Sequence, residues 1–291
     1  MIYFIRLENE RHFACEASWL VYRFLEEKGD YMKLLVCIKQ VVDTSKMEVD
    51  PNTGRLNRNG ANSILNPCDR NALEAALALR DAEGGSVTVI TMGPPQAGVA
   101  LKEAGSMGAD DLYLITDRAF GGADTLATSY TLSSVIKKLG NFDLIFCGVE
   151  SIDSNTAQVG PEVAAMLGIP SVSAAVSLSY ADGKLSVTRA NGEDQDVLEL
   201  SLPAVVTATP ALNAPRYPSI MGILKKPNME IHQITAADLD VEADRIGIKG
   251  SPTQVKGVRP VVPAKKESLH IEGEEASAAA SRLAEALVKI L

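Results

Sequence analysis

The residues best placed to do chemistry stand in one run: Ser151, Ile152, Asp153, Ser154, Asn155, Thr156, Ala157, Gln158, Val159, Gly160, Pro161, Glu162 and Val163. This run leaves an apolar stretch at 144–147 (LIFC) through a polar turn and enters a helix. Proline is tolerated only in the first turn of a helix, so Pro161 places the helix start no earlier than about Ala157 and leaves 150–157 mostly loop. A polar loop that follows a strand and feeds a helix N-terminus offers free backbone N–H groups at a positive dipole end. The chemistry this suits is anion binding, with phosphate the natural guest. Read alone, the run also fits a plain strand-to-helix connection capped by Ser154 or Asn155.

Other chemistry is poorly supplied. The 3 histidines, His12, His232 and His270, are too scattered for a metal cluster, and neither G-x-S-x-G nor H-E-x-x-H occurs. The 4 cysteines, Cys15, Cys37, Cys68 and Cys147, are widely spaced with no C-x-x-C pair, which reads as buried free thiols in a reducing cytoplasm rather than disulfides or a metal site. A net charge of −9 argues against nucleic acid or an anionic membrane surface as the main partner. No apolar run approaches the ~20 residues of a membrane helix.

The elements that must position the run follow from the pattern of the 291 residues, whose low aromatic content (5%) suits closely packed βαβ units. Buried strands are expected at 33–38, 87–90, 111–115, 143–147 and 203–208, and helices at 71–82, 97–106 and from about 125 to 139. Asn66 or Asp69 is expected to cap the first of these helices. Strands alternating with helices imply an α/β fold with a doubly wound, mostly parallel sheet, whose ligands bind outside the carboxyl ends of the strands. Three strand-to-helix turns can meet there, at Cys37, at Met92 and in the run above.

Two insertions depart from the alternation. A hairpin is expected at 47–58 around DPNTG, and an antiparallel meander at 172–179, 184–189 and 196–201, separated by ADG and NG turns. Residues 212–226 read as a loop leading into a short helix. Residues 231–291 read as a C-terminal arm ending in a helix at 276–290, laid on a partner because so long a structureless run is improbable inside a compact domain. Residues 1–31, with charges through the middle, are no signal peptide. They read as an appended or mis-started segment, or alternatively a short docking helix, before a nucleotide-binding domain at 32–230.

From Met32 onward the chain resembles the β subunit of electron-transfer flavoprotein. The resemblance is carried, in order, by VCIKQV, DPNTG, NPCD, MGPPQA, MGAD, SIDSNTAQVGPEVA, KLSVTRANGEDQD, LPAVVTA and LNAPRYPSIMGILKK. It implies a Rossmann-like core and a heterodimer with an α subunit that largely holds the redox-active FAD. In this subunit it implies either AMP as a structural nucleotide or, in electron-bifurcating members, a second FAD. The family's nucleotide positions fall on Cys37, on Asn66, Pro67, Cys68 and Asp69, on Met92, and on 151–163. Within them, backbone N–H groups of 155–160 with the side chains of Thr156 and Gln158 would cradle phosphate, Cys37 and Met92 would wall the adenine, and Asp153 would accept from ribose hydroxyls.

Two details bear on subtype. TAQVGPE, with Val159 and Pro161, is more similar to clostridial bifurcating members than to mitochondrial carriers, which favours FAD over AMP and brings in NADH and ferredoxin as partners. Residues 216–226 resemble the family's recognition loop for flavin dehydrogenases such as acyl-CoA dehydrogenase, with Ile220 at the anchor position and Met221 and Arg216 beside it. Ala190 departs from the acidic residue of mitochondrial members, although Glu193, Asp194 and Asp196 are near. The competing reading from another class is a non-redox module that senses adenine nucleotides on the same fold.

Overall fold

The structure, a computed structural model, describes residues 31–43, 48–49, 56–57, 63–254, 270–271 and 275–288. Residues 1–30 of the expected N-terminal segment, the DPNTG turn at 50–54, and 255–269, 272–274 and 289–291 of the expected C-terminal arm lie outside the described residues. In chain order the first elements are β1 (Met32–Cys37), β2 (Gln40–Val42), β3 (Glu48–Val49), β4 (Leu56–Asn57), β5 (Ser63–Leu65), α1 (Pro67–Glu83), β6 (Gly85–Met92), α2 (Gly98–Met107) and β7 (Asp111–Ile115). Then follow α3 (Thr125–Leu139), β8 (Leu144–Gly148), α4 (Val159–Leu167), β9 (Ser171–Ala181), β10 (Lys184–Asn191), β11 (Asp194–Leu200) and β12 (Ala204–Ala208). The last are α5 (Ile220–Lys225), β13 (His232–Ile234) and α6 (Ala276–Val288).

A 9-stranded sheet in the order β11-β10-β9-β12-β8-β1-β6-β7-β13 forms the centre. Its middle strands are continuous apolar runs because both faces are covered. Leu34, Val36, Leu144 and Phe146 pack on one face with Leu73 and Leu77 of α1 and Leu101 of α2. Leu35, Cys37, Ile145 and Cys147 pack on the other with Leu132, Val135 and Ile136 of α3 and Val163 of α4. The two-residue period of a strand makes this division, since successive side chains of β1 and β8 point to opposite faces.

The chain builds outward from β1 through β6 to β7, then returns by α3 to place β8 on the other flank of β1, with Cys37 in register with both Ile90 and Cys147. The topology therefore reverses between β1 and β8, and a crevice opens beyond their carboxyl ends. On the far side of β12, the meander β9-β10-β11 is antiparallel, turned by Asp182 and Gly183 with positive φ of 52° and 77°. The fragments β3 and β4 pair antiparallel outside the main sheet, where the hairpin was expected. The sheet runs past residue 230, the expected domain boundary, because β13 pairs in parallel with β7.

Helix α1 corrects one local expectation. It begins at Pro67 rather than Asn71, proline fitting the first helical position. Asn66 occupies the N-cap position, yet neither it nor Asp69 makes a capping bond, because both side chains have partners on distant strand ends.

Phe146 is fully buried between the sheet and α1. Phe146→Ala is expected to cost about 3–5 kcal/mol, read as a lower urea midpoint with an unchanged dependence on urea concentration.

Candidate functional site

The crevice is built from three chain ends that one buried carboxylate ties together. Asp69, in the first turn of α1, accepts the backbone N–H of Lys39 just past β1 at 2.7 Å and that of Gly148 at the end of β8 at 3.1 Å. Gly148 approaches so closely that a Cβ there would overlap Oδ1 of Asp69 and lie 2.8 Å from Cys68 Cβ. Burial pushes the Asp69 carboxyl up to about 7, against the lowering effect of Asn66, of these two N–H groups and of the Lys39 charge. Asn66, wholly buried, completes the tie: its N–H donates to Lys39 O at 3.0 Å, its Nδ2 to Glu150 O at 2.8 Å, and its Oδ1 accepts from Ile152 N at 3.2 Å.

The loop after β8 is shaped by its own short side chains. The N–H groups of Ser154 and Asn155 donate to Ser151 O at 3.1 and 2.8 Å, and the Ser151 hydroxyl bonds Asp153 at 2.8 Å and Ser154 at 2.7 Å. Lys39 reaches across from β1 to pair with Asp153 at 2.7 Å. Burial pushes the Asp153 carboxyl up, but Lys39, Ser151 and Ser154 together outweigh it and hold it below the usual range. The expected ribose acceptor is thus an ionised carboxylate already gripped by a lysine. Asn155 and Ala157 have positive φ of 51° and 55°, a left-handed conformation that non-glycine residues seldom adopt.

Helix α4 then starts at Val159, within the expected limit, and the N–H groups of Val159 and Gly160 have no acceptor inside the helix. Gly160 is required by packing: a Cβ there would stand 2.5 Å from Thr207 Cγ2 of β12 and 3.6 Å from Cys147 Cβ. Gln158 and Glu162 are bound to α3, both through Thr125 and Glu162 also through Ser129 at 2.9 Å. The helix end bearing unpaired N–H groups is therefore fixed by the sheet below and α3 beside it. The donor set suits an anion.

Cys37 and Cys147 lie side by side on the floor, and the Cys147 thiol, with burial, keeps the Cys37 thiol well above its ordinary range and neutral. Cys68 is also buried and unpaired, so all three cysteines among the described residues are free thiols. Met92 is half-buried at the end of β6, on the same face as Cys37. The sequence run, 66–69, Cys37 and Met92 thus share one edge of the sheet. Arg216, Ile220 and Met221 do not; they belong to a separate surface where α5 packs on α2. Lys39 was not singled out in the sequence, and the one available signal was a lysine directly after a buried strand. Near Ala190, Asp196 is occupied by Arg189 at 3.0 Å.

Residues 53–239 match the electron transfer flavoprotein domain family. The chain is 50% identical over 225 residues to the electron transfer flavoprotein subunit beta of Thermoanaerobacterium thermosaccharolyticum, covering 77% of this chain and 86% of that one. Over 225 residues it is 46% identical to the caffeyl-CoA reductase-Etf complex subunit CarD of Acetobacterium woodii, with the same coverage of 77% and 86%. It is 41% identical over 252 residues to the protein FixA of Azotobacter vinelandii, covering 84% and 89%.

Two outcomes follow from the geometry. Because the folded protein holds the Asp69 proton up to about pH 7 while the unfolded chain loses it near pH 4, stability from this group falls as pH rises through that window. Asp69→Asn is expected to flatten that part of the stability–pH curve, measured by urea unfolding at stepped pH. Gly160→Val is expected to push α4 off Thr207, measured as a lower urea midpoint of unfolding than that of the native chain.

Proposed function

The chain belongs to the electron transfer flavoprotein family as a β subunit, and on that premise we propose that it holds FAD in the crevice between β1 and β8. There it would pass electrons between a flavin dehydrogenase of the acyl-CoA dehydrogenase class and a second redox partner. As a β subunit it implies an α subunit, which carries its own FAD. The observation that supports the site is the meeting of a helix end with unpaired N–H groups, a loop with two left-handed residues and a floor of buried free thiols at the switch point of the sheet. FAD, when bound, supplies the electron-transfer chemistry itself.

The chain's own residues would hold and orient it. Of the N–H groups expected to cradle its phosphates, that of Asn155 is taken by Ser151 O, which leaves those of 156–160 to do so, and Lys39 would stand beside them while restraining Asp153. Cys37 and Met92 wall the adenine. A neutral thiol at Cys37 suits that place, since a thiolate would repel the phosphates. Asn66 and Asp69, among the positions carried over for the nucleotide, also fix the two strand ends between which it would lie.

Val159 and Pro161 in the loop, and the similarity to a subunit of a caffeyl-CoA reductase-Etf complex, favour the bifurcating type. Electrons from NADH would then divide between a CoA-thioester acceptor and ferredoxin. No helix among the described residues is long and apolar enough to cross a membrane. The docking surface would be α5, where Ile220 and Met221 are 78% and 62% exposed.

Denaturing the purified αβ heterodimer and assaying the released nucleotides tests the cofactor. A FAD for each subunit and no AMP is the expected result. One FAD with one AMP would make the chain a simple carrier, and a colourless chain with adenine nucleotide alone would favour the sensing reading. Ile220→Ala is expected to raise the KM for an acyl-CoA dehydrogenase about tenfold, roughly the effect of losing one buried anchor, with nucleotide content unchanged.

A further inference from the structure

We infer that Glu74 is the positioning residue of the docking helix: from the middle of α1 its buried carboxylate holds Arg216, and through Arg216 it sets the direction in which α5 presents its apolar side chains. The inference rests on the reading of α5 as the dehydrogenase-docking element.

Arg216 was expected to face a partner. Instead its backbone N–H and Nε both donate to Glu74 Oε2, at 2.9 and 2.8 Å, and Nη2 donates to Oε1 at 3.1 Å. Its Nη1 donates to Asp81 at 2.8 Å. Glu74 is only 9% exposed, so removing Arg216 would leave a buried charge uncompensated. The two-pronged grip uses the planar guanidinium fork, which an ammonium could not reproduce. With two carboxylates on it, Arg216 has no charge to offer a partner.

The clamp is one of several ties. One turn earlier on α1, Asn71 donates to Asn213 O at 2.8 Å, and Asn213 returns a bond to Asn71 O at 3.0 Å. Beyond the clamp, Ser219 caps α5 by accepting from Gly222 N at 2.9 Å, and its own N–H donates to Ser106 O of α2 at 3.3 Å. Gly222 lies against that same Ser106 carbonyl, with no room for a Cβ. Lys102 of α2 donates to Pro227 O at 3.2 Å.

These ties explain how a 6-residue helix, far too short to hold itself together in water, keeps Ile220, Met221, Ile223 and Leu224 turned to solvent. A preset helix loses less conformational freedom when a partner arrives. Asn71 and Ser219 fix where the segment runs. Glu74 fixes its angle: it takes both the main chain and the side chain of Arg216, as Asn71 does of Asn213, and of the two it is the charged tie and the one nearer α5 along the chain.

Glu74→Gln and Arg216→Lys in the αβ heterodimer test this; the second keeps the charge and the fold while losing the fork. Expected are about tenfold faster amide exchange across 219–225 and about a tenfold higher KM for an acyl-CoA dehydrogenase, with kcat and nucleotide content unchanged. Unchanged exchange and KM in both variants would overturn the role of Glu74. Ile220→Ala is measured alongside. If it raises KM and the other two do not, only the Glu74 assignment falls; if it leaves KM unchanged, the docking reading falls and this inference with it.

Discussion

Two backbone N–H groups on neighbouring strand ends share the carboxylate of Asp69, and the shape of the crevice depends on that sharing. Parallel strands hydrogen-bond along their length, but nothing in the ladder fixes how far their ends splay once pairing stops. Here the first turn of α1 is inserted between the ends of β1 and β8 and bonded to both. The arrangement is costly, since burial disfavours the charged carboxyl that binds the two N–H groups best. The carboxyl is enclosed by Asn66 and Cys68, both buried, and by Gly148, where a Cβ would overlap Oδ1 of Asp69.

Helix α1 therefore has two duties along its length. Its first turn closes the crevice, and its middle, through Asn71 and Glu74, carries the loop that leads to α5. Such a helix cannot shift in response to one end without disturbing the other. Its apolar side, with Leu73 and Leu77 fully buried against the sheet, gives it the rigidity both duties need.

What the sequence made legible was whatever depends on neighbours in the chain. The alternation of buried strands and helices, β7 to the residue, the ADG and NG turns, and the helix start imposed by Pro161 all follow from local pattern and backbone stereochemistry. The family motifs then brought Cys37, 66–69, Met92 and 151–163 to one sheet edge. What stayed hidden were partnerships across long separations. Asn66 looked like a helix cap because Asn before Pro usually is one, yet two groups 84 and 86 residues away compete for it more strongly. Arg216 looked like a surface residue because its partners lie 142 and 135 residues back. Lys39 gave no sign of its ion pair with Asp153, which depends on strand order and not on spacing.

The close fit of Gly148 against Asp69 also limits how this crevice could be moved to another protein. The loop at 149–158 is contiguous and invites grafting, but its path is held by Asn66 from a different part of the chain, and its origin is a glycine that exists to make room for Asp69. A host given the loop alone would supply a strand end with an ordinary side chain and no carboxylate beneath it. The smallest portable unit is two strands and the helix wedged between them.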